Sequence, residues 1–121
     1  MGGSMSIINE TNVPLNIALK QITPLYYQNS VKPGETMYKD TGAIHLTVEA
    51  TIDFGEHTQY SNWSNIINNP INLLSVSSPG WYAGYNHKLA IRGGPEPFID
   101  DANGKRFLQL DNWKPLEIVE I

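Results

Sequence analysis

The groups in this chain whose types could do chemistry are three histidines, a pair of carboxylates on one stretch and an acidic turn. Glu49 and Asp53 share the polar side of an alternating run. Four residues of extended chain hold them about 13 Å apart, beyond the separation that either geometry of glycoside hydrolysis requires. His45, His57 and His87 show no i, i+4 spacing and no zinc-protease pattern, so they read as scattered side chains, not as a metal set. The run Asp100-Asp101-Ala102-Asn103-Gly104 tests as a calcium loop and fails. Ile99 would fill the first ligand position and Leu110 the twelfth, where a carboxylate is needed at each. It reads as a hairpin turn with solvated carboxylates. No Gly-x-Ser-x-Gly elbow occurs, and Ser75, Ser77 and Ser78 read as a loop before Pro79. With no cysteine there is no thiolate nucleophile, thiolate zinc site or disulfide. No catalytic residue, metal or cofactor is expected.

The aromatic residues carry more information. Trp63, Trp81 and Trp113, with Tyr26, Tyr27, Tyr60, Tyr82 and Tyr85, lie mostly beside turns and beside Asn, Gln or Asp. Amphipathic rings next to short amides are what sugar sites, protein interfaces and membrane-surface contacts use. In Trp81-Tyr82-Ala83-Gly84-Tyr85 consecutive rings of a strand point to opposite faces, so not all are core. The expected ligand-binding residues are Tyr26, Tyr27, Trp63, Trp81, Tyr85 and Asn86. The expected function is a non-enzymatic, lectin-like module for a glycan or other polar small ligand. Two alternatives come from other features. Leu116 to Ile121, apolar on both faces, could add to a second sheet edge and make a homo-oligomer. Aromatics gathered at one pole would suit peripheral contact with a membrane surface.

These residues need a scaffold, and the chain is patterned for strands. Ile44, Leu46, Val48, Ala50 and Ile52 alternate with His45, Thr47, Glu49, Thr51 and Asp53, which predicts a strand with one dry and one wet face. Pro33-Gly34 sets a turn ahead of it. Strands are expected at Ser6–Asn9, Leu15–Lys20, Leu25–Gln28 and Thr36–Lys39 before this one. After it come Gly80–Tyr85 and His87–Arg92, the latter closed by a Gly93-Gly94-Pro95 turn. Phe98-Ile99 and Phe107 to Leu110 flank Asn103-Gly104, a hairpin signal in which both turn residues take positive φ. Pro115 breaks the chain before the last strand. Residues 55–78 lose the rhythm, with a possible helical turn near 61–68 from Trp63, Ile66 and Ile67. The expected fold is all-β: an antiparallel sandwich of about eight strands with Greek-key or jelly-roll connections.

Residues 1–4 read as an expression scar ahead of one domain over 5–121. At 121 residues, the chain is long enough to bury roughly two thirds of its unfolded surface. The net charge is −4 with no basic block, which disfavours nucleic acid. No apolar run is long enough to span a bilayer, and the N-terminus lacks the pattern of a signal peptide. The expected location is therefore cytoplasmic, and the sequons at Asn9-Glu10-Thr11 and Asn62-Trp63-Ser64 are expected to stay unglycosylated. A small, acidic, cysteine-free, tryptophan-bearing sandwich resembles, as a class only, groups of fungal and bacterial lectins and membrane-binding proteins. No motif is matched residue by residue.

Overall fold

The structure, a computed structural model, describes residues 2–53, 58–60, 74–104, 106–108 and 112–121. Two four-stranded sheets pack face to face. Sheet A has the order β11-β8-β1-β4 and sheet B the order β3-β2-β5-β7. Sheet A comprises β1 (Ser4–Asn9), β4 (Thr36–Asp40), β8 (His87–Gly94) and β11 (Lys114–Glu120). Sheet B comprises β2 (Leu15–Lys20), β3 (Pro24–Val31), β5 (His45–Ile52) and β7 (Ser75–Tyr82). A small third sheet joins β6 (Thr58–Tyr60), β10 (Arg106–Leu108) and β9 (Ile99–Asp100). No helix occurs among the described residues; the helical turn expected near 61–68 lies outside them, as does Trp63.

The period-two pattern builds the core. Leu15, Ile17 and Leu19 of β2 and Leu46, Val48, Ala50 and Ile52 of β5 are buried. Across from them stand Met5, Ile7, Met37, Leu89, Ile91 and Leu116 of sheet A. A strand with one apolar face is stable only when another layer covers that face, and each sheet covers the other. β1 begins at Ser4, one residue ahead of the expected boundary, and Gly3 is tied in by its N–H to the Ala83 carbonyl (3.0 Å).

The pairing differs from expectation in one respect. Sheet B is antiparallel throughout, whereas β1 and β8 run parallel in sheet A, as do β6 and β10 in the third sheet. No hairpin ties β1 to β8. Their direction is therefore set by packing, not by a turn.

Several prolines and glycines that read as breaks in the sequence lie inside strands. Pro79 belongs to β7, whose register against β5 shifts between Leu46 and Val48; the strand expected over Gly80–Tyr85 is its last part and ends at Tyr82, short of Ala83 to Tyr85. Ser75 and Ser77 thus alternate outward around the buried Val76 and are not a loop. Gly93 and Gly94 are the last residues of β8, not a turn, and Pro115 lies within β11. There the register against β8 shifts between Lys114 and Glu117. Bulges tolerate a missing N–H and a positive φ that a regular ladder refuses. The Asn103-Gly104 hairpin is present, joining β9 to β10, but it belongs to the third sheet and only Gly104 of the pair has positive φ. Its turn spans Asp101 to Gly104, closed by the Gly104 N–H on the Asp101 carbonyl (3.1 Å).

Candidate functional site: the outer face of sheet B and the aromatic pole

Sheet B turns its second face outward, and there the register places unlike residues side by side. Tyr27 of β3 pairs with Ala18 of β2, and Ala18 pairs with Glu49 of β5. Directly opposed residues of adjacent strands share a face, so a tyrosine ring and a carboxylate stand on either side of one methyl group. Because Ala18 is too small to fill the space between them, a recess of about 260 Å³ opens over it. Asn16, Asn29, Thr51 and Pro24 complete its walls.

A bulge shapes one end of the recess. The β2–β3 register shifts between Leu15 and Ile17, and Ser30 takes φ 54°. The Asn16 Oδ1 accepts the Ser30 N–H (2.9 Å) and pins the bulge, while the Ser30 hydroxyl donates to Asp53. Asn29 and Ser30 are consequently both exposed, where regular alternation would turn one of them inward. Glu49 is steadied by an ion pair from Lys20 to its Oε1. Its other oxygen has no partner among the described residues. Tyr27 is 68% exposed. Tyr26, its neighbour in the expected set, pairs with the buried Leu19 and packs against the core.

The remaining expected residues gather elsewhere. Trp81, Tyr85 and Asn86 surround the β7–β8 connection at one pole of the sandwich. Trp81 packs against the core and donates its indole N–H to the Ser78 hydroxyl (3.0 Å); it plugs the pole more than it presents a ring. Tyr85 is 61% exposed, and Asn86 accepts the Ser4 hydroxyl (2.9 Å). Tyr82, which the expected set omits, stands against His45 with ring centres 4.6 Å apart. A Cβ on Gly84 would strike the Tyr82 ring, so that glycine is what lets the ring lie over the turn. The His45 row is four residues along β5 from Glu49, roughly 13 Å, and β7 and β3 are opposite edges of the sheet. The recess and the pole are two places, not one site.

His87 holds the pole together. It is buried, with Nε2 on the Tyr82 carbonyl (2.8 Å) and Nδ1 on Glu120 Oε2 (2.6 Å). Tyr85 lies over its ring at 4.2 Å and Trp81 meets it edge-on at 5.5 Å. A carbonyl only accepts, so Nε2 carries a proton. Both nitrogens are engaged, and in this arrangement neither is open to take a proton from a substrate. The residue was legible as a core histidine: it shares parity with Leu89 and Ile91, which reading the three histidines as scattered overlooked. Among the described residues no three His, Asp or Glu side chains gather as a metal site. The tested calcium turn spends Asp101 Oδ1 on the Asn103 N–H (2.8 Å) and places Asp100 3.6 Å from Arg106.

At the far pole Arg92 donates Nε to Glu10 (2.6 Å). That hydrogen bond, and then the carboxylate's charge, raise the guanidinium pKa above its ordinary value. The contact is a surface clamp between β8 and the β1–β2 connection. β11 is an edge strand, paired with β8 alone among the described residues, which is the condition that strand addition requires. No helix among them is long and apolar enough to cross a membrane.

Compared with protein-family models, curated proteins and solved structures, the chain matches none. Its function has to be argued from its own side chains.

Proposed function

We propose that this chain is a non-enzymatic binding module that takes a glycan, or a similarly hydroxyl-rich small ligand, in the recess over Ala18. The observation that carries this reading is the row Tyr27, Ala18, Glu49: an exposed ring and a held carboxylate separated by a gap one methyl deep. A sugar has an apolar C–H face and a rim of hydroxyls. Tyr27 offers a surface for the first. Glu49 and the amides of Asn16 and Asn29 offer acceptors and donors for the second. The floor lies on paired strands, so little ordering entropy is lost on binding. The loop aromatics of the expected set contribute Tyr27 alone to this recess.

The test is a glycan array read with the wild type and with Tyr27→Ala. Tyr27 is exposed, so its loss leaves the thermal midpoint nearly unchanged. A stacked ring contributes about 1 kcal/mol beyond its burial, which predicts a fall of at least roughly fivefold in affinity for the bound glycan. Trp81→Ala would be a poor choice, since Trp81 is part of the packing. A blank array for the wild type, or equal binding by Tyr27→Ala, removes the reading.

A further inference from the structure

We propose that the pole carrying Ile22, Tyr82 and Tyr85 docks on the surface of a zwitterionic, phosphocholine-headed lipid bilayer. The inference does not rest on ligand binding in the recess, although Lys20 borders the hollow beside Ile22 and pairs with Glu49 of the recess.

Ile22 is the starting observation. It sits at the tip of the β2–β3 turn, closed by the Gln21 N–H on the Thr23 carbonyl (3.2 Å), and is 98% exposed. Turn tips favour Gly, Asn, Asp and Ser for backbone reasons. An isoleucine there touches almost nothing and adds nothing to the fold. It is not isolated, however. Ile22 and His45 border one hollow beside Lys20 and Thr47, His45 stacks on Tyr82, and Tyr85 stands beyond Gly84 on His87. The result is an aliphatic tip with a belt of tyrosine rings beside it, Tyr82 being 46% exposed. Tyrosine rings settle at the level of lipid headgroups, apolar body inward and hydroxyl in water. The Glu120–His87–Tyr82 hydrogen bonds and the Gly84 contact fix the belt before any encounter.

Charge decides which surface. Near this pole, among the described residues, Lys20 is spent on Glu49, Glu120 takes the His87 ring and Asp40 the Tyr38 hydroxyl, and the charges of Lys39 and Lys88 are matched in number by those two carboxylates. The whole chain carries −4. An anionic leaflet attracts clusters of Lys and Arg, and among the described residues this pole has no such excess, so a net-neutral headgroup layer is the matching surface. A lipid layer also receives a protruding side chain without a preformed pocket, which a folded partner would have to supply.

Flotation with phosphatidylcholine vesicles tests this. The wild type is expected to float, Ile22→Asp to bind about tenfold more weakly, and Ile22→Trp to bind more strongly. Tyr27→Ala is expected to float like the wild type, which separates this proposal from the glycan reading. Because Ile22 is exposed, circular dichroism melts of both Ile22 variants should overlay the parent. The proposal is overturned if the wild type stays with the unbound protein. It is equally overturned if Ile22→Asp floats as well as the parent, or if binding requires phosphatidylserine. A dimer seen by sedimentation and lost in Ile22→Asp, with no flotation, would assign the pole to a second copy of the chain instead.

Discussion

Asn9→Ala is expected to cost about 3–5 kcal/mol of stability and to lower the thermal midpoint by roughly 10–15 °C. Asn9 ends β1 with no exposed surface. Its amide nitrogen donates to the Val13 and Val31 carbonyls, each at 2.8 Å. Its Oδ1 accepts the Thr11 N–H (2.8 Å) and the Thr11 hydroxyl (2.7 Å). Its own backbone takes the Gly34 N–H (2.7 Å) and donates to the Glu35 carbonyl (3.0 Å). One side chain therefore ties the β1–β2 connection to the end of β3, and its backbone ties both to the turn before β4. Truncation takes this partner from the Val31 carbonyl and the Thr11 N–H in a dry site and leaves the Val13 carbonyl only the Thr11 hydroxyl (3.0 Å), which costs more than the bonds themselves contribute. Asn9→Asp separates the causes: it keeps the volume and the acceptor but turns a carboxylate toward two carbonyls, and a comparable loss is expected. Thermal unfolding followed by circular dichroism measures both; a shift of only a few degrees in either would contradict this account. The same burial gives Asn9-Glu10-Thr11 a structural meaning in place of a glycosylation signal, since the amide nitrogen has no room for a sugar.

Gly93→Ala is expected to be about as damaging, and for a different reason. Gly93 has φ 92°, and a Cβ built on it would land on the Pro115 carbonyl oxygen of the neighbouring strand. The positive φ costs an alanine about 1–2 kcal/mol, and forcing two paired backbones apart adds about 1–3 kcal/mol. Gly104→Ala is the control. Its φ is 78° but nothing lies within 4 Å of the added Cβ, so only the first cost applies. Chemical denaturation of the two variants should therefore differ by about 1–3 kcal/mol. Equal losses would mean that β11 does not approach β8 as closely as described.

The same residues explain what the sequence did and did not reveal. β5 and β2 were legible because unbroken alternation admits one arrangement, with Leu46 and Val48 beneath the other sheet. The sequence cuts β7, β8 and β11 short because Pro79, Gly93 and Pro115 look like punctuation. Each is absorbed by a bulge, and a bulge is a property of two strands that no single strand announces. The parallel β1–β8 pairing was hidden for a related reason: Met5 and His87 are partners that only packing brings together. The candidate site was partly visible. Aromatics beside turns stand out in the sequence, and Tyr27 and Tyr85 are exposed, yet the choice between Tyr26 and Tyr27 depends on which of them pairs with Leu19. The floor was invisible, because Ala18 becomes a recess only when the register sets it between Tyr27 and Glu49.

The most direct test of the central claim, that the outer face of sheet B is the ligand site, is amide chemical-shift mapping during titration with a panel of methyl glycosides. The account predicts saturable shifts concentrated at Asn16, Ala18, Tyr27, Asn29, Glu49 and Thr51, with the Tyr82 to His87 segment unmoved. Shifts confined to that segment, or none from any glycoside at millimolar concentration, would contradict it.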